Sequence, residues 1–253
     1  MIGSFSFNGI ESSNFNLVCK SIQRPLLPAV KTKRIDMIGL SGVFDFSNTE
    51  YSLRNVTMSI TYIGTDYTEL RSRARSIAAW LSSDAWVRLI INDESDKYYL
   101  AKVTEHIDFN SLWESGSAEI VFDCQPFAYS VNEQLITFPV TTLTNRSFTN
   151  VGTRVINNKS PVGSKYNLRI TGSWTSITFT SNANALTFSR AGTGTLIIDN
   201  INMEVRLNGV NAFSDIFGDI DTFLRIVPGP NILTVNGTAL NITVNIEYVP
   251  LWI

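Results

Sequence analysis

The chain has 253 residues, 44% of them apolar and 17% charged, with a formal charge of −2. A chain of this length buries roughly 70% of its unfolded surface, enough for one large or two ordinary domains without a disulfide or metal staple. The faintly acidic balance argues against sequence-independent nucleic-acid binding, which needs a basic face to displace counterions from phosphates.

The start, Met1 to Gly9, has neither a basic head nor a continuous apolar run, so it does not read as a secretory signal. No stretch approaches the length of an apolar membrane helix. The expectation is a protein made and kept in a cytoplasm. Cys19 and Cys124 then read as two buried or half-buried free thiols, with a single disulfide as the alternative.

In chain order, Ser4 to Asn8 alternates and ends in the turn signal Asn8-Gly9. Asn14 to Ile22 reads as a second strand. Arg24 to Arg34 contains Pro25, Pro28 and four basic residues, and reads as an exposed loop or arm, because each proline lacks a backbone donor. Val56 to Ile63 alternates cleanly. The spacing then predicts a helix from about Asp66 to Ser82, capped by Asp66 with Glu69 three residues on. Its apolar stripe is Tyr67, Leu70, Ala74, Ile77, Ala78 and Leu81. Arg71 and Arg75 lie one turn apart on the other side. They read as a solvated face, with phosphate or partner binding as the alternative. Trp86 to Ile91 and Lys97 to Val103 flank an acidic hairpin tip, Asn92 to Asp96, and Ser117 to Cys124 adds one more strand.

The texture changes after residue 137. Residues 1–137 carry 12 Lys+Arg and 16 Asp+Glu, a charge of −4; residues 138–253 carry 8 and 6, a charge of +2. The second part holds 15 Asn and 16 Thr and no helical stripe. Short strands recur between turn residues, as in a β-sandwich. They are Asn167 to Thr171, Ser176 to Thr180, Ala185 to Arg190, Gly194 to Asn200, Met203 to Leu207, Phe223 to Val227, Asn231 to Val235 and Ala239 to Pro250. In the last, Leu240, Ile242, Val244, Ile246 and Tyr248 share one face. Leu207-Asn-Gly-Val210 is a two-residue hairpin signal, and Ala191-Gly-Thr-Gly-Thr195 reads as a turn. The boundary falls between Gln125 and Arg154. The fold class expected is mainly β: a barrel or sandwich-like first domain, 1–137, with one α-helix, and a second β-sandwich domain, 138–253.

Catalytic chemistry is sparse. His106, between Glu105 and Asp108, is the only histidine, and a lone histidine at a strand end is usually a rim residue. One His and two distant Cys cannot form a zinc site at motif spacing, and no phosphate-cradling glycine motif occurs. Acids of the second part (Asp199, Glu204, Asp215, Asp219, Asp221, Glu247) leave a carboxylate pair open in principle; the cluster from Phe213 to Phe223 reads as an acidic loop rather than a calcium site. Trp174 breaks the alternation of its strand. It reads as packed at the sandwich edge, with a sugar-stacking platform as the alternative. No catalytic residue, cofactor or metal is expected.

The order of parts goes further. Phe5-Ser-Phe-Asn-Gly9 with Ser12 to Leu17, the first alternating strands, the single helix after Tyr62 and the hairpin from Trp86 together resemble the N-terminal domain of siphophage distal tail proteins. Thr222-Phe-Leu-Arg-Ile-Val-Pro-Gly-Pro-Asn-Ile-Leu-Thr-Val-Asn-Gly237 resembles their Pro-Gly-x-Asn-x-Ile/Leu-Thr-x-x-Gly strand-turn-strand, and Ile246-Glu-Tyr-Val-Pro-Leu-Trp-Ile253 their last strand. The resemblance spans essentially the whole chain and is close to the distal tail protein of a Bacillus siphophage. It implies a structural virion protein rather than an enzyme. Six copies would form a ring, singly or stacked, that continues the tail tube, carries a galectin-like or carbohydrate-module-like sandwich outside, joins the tube protein to the tail-tip or tail-fibre protein, and leaves a channel through which DNA passes without specific binding. Such a protein is assembled in the host cytoplasm and ends in the virion. The competing readings are a carbohydrate-binding module using Trp174 in host-surface adhesion, and a glycoside hydrolase or esterase.

Overall fold

The computed structural model describes residues 3–36, 38–39, 41–45, 50–63, 67–105, 117–141, 152–182, 184–219 and 223–253. His106, the Asp66 cap and Asp221 lie outside these residues. Two compact units result, Met1–Val131 together with Ile253, and Asn132–Trp252.

The first unit runs β1 (Phe5–Phe7), β2 (Ile10–Glu11), β3 (Leu17–Gln23), β4 (Arg34–Asp36), β5 (Val43–Asp45), β6 (Arg54–Tyr62), α1 (Tyr67–Leu81), β7 (Val87–Ile91), β8 (Lys97–Val103), β9 (Ala118–Cys124) and β10 (Ala128–Ser130). Its main sheet is ordered β2-β1-β7-β8-β9-β6-β3, with β10 beside β8 and β4–β5 as a separate hairpin. Gly3 bridges Cys19, whose amide donates to the Gly3 carbonyl at 2.8 Å. The chain ahead of β1 thus meets β3 at one point and the sheet curls into a barrel, which covers part of the β3 edge. Alternation dictates what fills it. Val56, Met58 and Ile60 of β6 and Ile120 and Phe122 of β9 point inward, while Thr57, Ser59 and Glu119 point out. The Asn8-Gly9 turn forms as expected, with φ of 52° and 77° and Phe7 paired to Ile10.

Both cysteines are fully buried free thiols. Cys19 sits opposite Ile60 and Cys124 opposite Arg54, on the two flanks of β6. Six residues of strand separate those positions, about 20 Å, far beyond disulfide reach. The disulfide alternative is thereby removed.

The helix is where expected; of the expected stripe Ile77 and Leu81 are buried and Ala74 is half-buried, the side chains of Tyr67 and Leu70 lie outside the described residues, and the buried face is rotated away from Ala78. Trp80 is buried and Ala78 is exposed. Trp80 explains the rotation. Its ring stacks on Phe15 at 4.7 Å and Phe5 at 5.6 Å, meets Phe7 edge-on at 6.3 Å, and its Nε1 donates to the Phe7 carbonyl at 2.9 Å. Burying an indole outweighs burying an alanine methyl by several-fold in area, so the helix turns toward the tryptophan.

The second unit contains β11 (Gln134–Thr141), β12 (Gly152–Asn158), β13 (Ser164–Trp174), β14 (Ser176–Ser181), β15 (Asn184–Phe188), β16 (Gly192–Asp199), β17 (Glu204–Leu207), β18 (Val210–Asn211), β19 (Ile216–Gly218), β20 (Arg225–Ile226), β21 (Gly229–Thr238), β22 (Asn241–Tyr248) and β23 (Leu251–Trp252). Two antiparallel sheets, β11-β22-β13-β16-β17-β18 and β12-β21-β14-β15-β19, enclose one core that includes Leu168, Phe179, Phe188, Ile198, Val235 and Ile246. That is a β-sandwich. A division after residue 137 would cut β11, which pairs along its whole length with β22. The sequence pattern missed β11 because it is an edge strand: Leu135 faces outward and Pro139 interrupts the donors.

Two details explain sequence signals. Ala191 to Thr195 is no turn; β16 already begins at Gly192. Gly194 has φ 114°, and a Cβ there would collide with the Asn208 carboxamide, which accepts from Thr195 N at 2.8 Å and donates to Thr193 O at 3.0 Å. In the Pro-Gly-x-Asn segment, Gly229 takes φ 85° and Asn231 is buried. Asn231 Oδ1 accepts from Val227 N at 2.8 Å and Asn182 Nδ2 at 2.9 Å; its Nδ2 donates to Val227 O at 2.8 Å and Gly229 O at 2.9 Å. The asparagine is a clamp that gives a buried loop its backbone hydrogen bonds.

Candidate assembly surface

The chain leaves the barrel after β3 at Arg24. Pro25 and Pro28 deny it a sheet, and Leu26 and Leu27 stand 87% and 65% exposed. The segment is held at its root, where Ser52 N donates to Ala29 O at 2.7 Å and Lys31 N to Glu50 O at 2.8 Å. It then continues into the β4–β5 hairpin, with Ile35, Ile38 and Val43 exposed. The projecting element is therefore longer than the expected Arg24 to Arg34 arm. Apolar side chains at 26, 27, 35, 38 and 43 interleave with Lys31, Lys33 and Arg34. Exposed apolar residues interspersed along the chain with charged ones are the composition of a protein-contact surface.

The acidic tip between β7 and β8 forms a short helical turn, Asn92–Glu94. Its charges are met within the chain. Arg24 pairs with Glu94 at 3.0 Å and Asp93 at 3.4 Å, and Lys97 with Glu94 at 2.7 Å and Asp96 at 3.4 Å. The Glu94 hydrogen bond holds the Lys97 ammonium above its usual range. Each partly exposed pair is worth well under about 1 kcal/mol. Together they fix the direction in which the arm departs, because Arg24 is its first residue. No local pattern linked Arg24 to a tip some seventy positions away; only the fold does so.

The residues weighed for other chemistry are used structurally. Trp174 is 4% exposed, its Nε1 donating to Arg190 O at 3.0 Å and its ring edge-on to Phe188 at 6.4 Å. It presents no face for a sugar, so the stacking-platform alternative fails at this residue. Asp199 accepts from the amides of Ile201 and Asn202, both at 2.9 Å, and Glu204 pairs with Arg206 at 3.0 Å. Asp215 pairs with Arg190 at 3.4 Å, and Asp219 accepts from Ala185 N at 2.8 Å. Asp199 and Glu204 face each other across β16 and β17, but the first is taken up by the Ile201 and Asn202 amides and the second by Arg206. Among the described residues no three His, Cys, Asp or Glu side chains gather as metal ligands, and no helix is long and apolar enough to cross a membrane.

Comparison with known proteins gives two family matches in tandem. Residues 12–124 match the phage tail protein RIFT-related domain, and residues 158–252 the siphovirus-type tail component, C-terminal domain. No curated protein matches in sequence. Among solved structures, the crystal structure of the Dit protein of phage SPP1, described as a paradigm of the hub adsorption apparatus in phages infecting Gram-positive hosts, superposes with a TM-score of 0.76. It covers 100% of each chain at 13% identity. That likeness extends the shared fold across both units.

Proposed function

The chain belongs to the distal tail protein family of siphophages, whose members are hub components of the tail, and from that premise we propose that six copies close into a ring at the distal end of a non-contractile tail. The ring joins the last ring of the tail tube to the tail-tip or tail-fibre protein, singly or stacked, and leaves a channel for DNA. The protein is assembled in the host cytoplasm and works by geometry, with no bond-making step. The observation that carries the reading is the order of the two tail-domain matches on a chain that shares one fold end to end with a hub protein.

Physical features support it. The bridge from Gly3 to Cys19 covers part of the β3 edge of the main sheet, and projecting elements and side-chain surfaces are available for contact between copies. The arm from Arg24 through β5 supplies such an element, and burying Leu26, Leu27 and Ile38 against a neighbour is worth about 1.5–3 kcal/mol each. The −4 charge of residues 1–137 suits a lumen that repels phosphates and lets DNA slide. The test is the light-scattering mass of the purified protein. Six copies of the 28.2 kDa chain, about 169 kDa, or a multiple of that, is the expected result. A stable 28 kDa particle that never forms annuli in the electron microscope would overturn the reading.

A further inference from the structure

Arg54 opens β6 and shares the inward face of that strand with Val56 and Met58, at 3% exposure. Its surroundings supply no negative charge. Nη1 donates to the Tyr99 hydroxyl at 3.5 Å, and the guanidinium carbon lies 5.7 Å from the centre of the buried Tyr99 ring. Cys124 stands opposite Arg54 on β9, and burial pushes its thiol up to about 12, so it is neutral at neutral pH. Asp123 beside it lies on the outer face of β9 and accepts from Thr104 Oγ1 at 3.0 Å. Among the described residues no carboxylate pairs with Arg54, and its Nε and Nη2 have no hydrogen-bond partner.

A buried guanidinium needs a counter-charge as well as hydrogen bonds, and a neutral acceptor supplies only the second. The two unpaired nitrogens are also the pair that matters for recognition. Their N–H bonds run side by side and form the fork that grips a planar oxyanion through two oxygens. The place lies at the end of a strand pair: Leu53, just before Arg54, is 44% exposed, and Gln125, just after Cys124, is half-buried.

We infer that the Nε–Nη2 edge of Arg54 is an anion site at the end of the β6–β9 pair, and that its ligand is a small planar oxyanion of the formate or bicarbonate class. Burial of the guanidinium selects a small free ion over the surface of another chain. The bound charge neutralises the arginine, and the two oxygens take the two free N–H groups.

The experiment is thermal melting of the full chain at neutral pH and constant sodium, with formate replacing fluoride. Fluoride is too strongly hydrated to follow a guanidinium out of water. A ligand that binds only the folded chain raises its melting temperature, and the wild type should melt at least about 2 °C higher in about 50 mM formate than in fluoride alone. R54M removes the charge and keeps the apolar bulk, so it should show no formate shift. C124D sets a carboxylate opposite Arg54, at the cross-strand Cβ spacing of about 5 Å. It supplies the counter-charge from within the chain and should lose the formate shift too. Each variant serves if the other fails to fold, and calorimetric titration of the native protein with formate serves if both fail, with saturable one-site binding expected. A wild type with neither a shift nor saturable binding overturns the inference. An equal shift in wild type and R54M is a general salt effect and overturns it as well, as does a folded C124D that responds like wild type.

Discussion

Asn231 shows how much one buried side chain can hold. Its carboxamide makes four hydrogen bonds of 2.8 to 2.9 Å to Val227, Gly229 and Asn182. Replacing it by alanine strands buried backbone groups, so Asn231→Ala should lower stability by about 2–4 kcal/mol in denaturant unfolding. Asn231→Asp, which keeps the acceptor and loses the donor, should also destabilise. Cys124 makes a pH prediction. Burial pushes its thiol up to about 12 from an ordinary 9.0. Between those values the unfolded chain has released the proton and the folded chain retains it. Stability therefore falls as pH rises through that window, by about 1.4 kcal/mol per pH unit from this group. Below pH 9 the contribution is intact. Cys124→Ala should show a shallower alkaline decline than the wild type in urea titrations from pH 8.5 to 11; equal slopes would refute the assignment.

At the scale of elements, the alternating strands were legible because one wet and one buried face leave a period of two in the sequence. β6, β9 and β22 follow that pattern and lie where it places them. Helix α1 was legible in extent, but its face only in part. Periodicity weighs Ala78 and Ile77 alike, whereas Trp80 finds three phenyl rings and a carbonyl that only the curled barrel brings together. The arm was readable from its prolines as far as Arg34. Its continuation into β4–β5 was not, since three-residue strands carry too little pattern. Leu26 and Leu27 are exposed in the single chain, so Leu26→Asp with Leu27→Asp should leave the melting temperature of the folded chain within a degree or two. The same pair should weaken ring assembly by tenfold or more, which sedimentation of the variant against the wild type would measure. Unchanged assembly would mean that the arm faces solvent in the ring.

For the whole molecule, the sequence by itself determined the class. Its strand periodicity, single amphipathic helix, Asn- and Thr-rich second part and want of a histidine or cysteine cluster specify a mainly β, two-part chain. The Pro-Gly-x-Asn segment added a family resemblance that the two tail-domain matches bear out. These features are local, encoded within a few residues by side-chain spacing and turn chemistry. Tertiary structure alone decided the rest. It curled the first sheet until Gly3 met Cys19, anchored Arg24 on Asp93 and Glu94, spent Trp174 on the Arg190 carbonyl, and left the Arg71–Arg75 face and the arm outside. Each of these is a meeting of groups distant along the chain or a surface left uncovered. Which surfaces remain uncovered depends on how all the strands pack, and no local pattern carries that information.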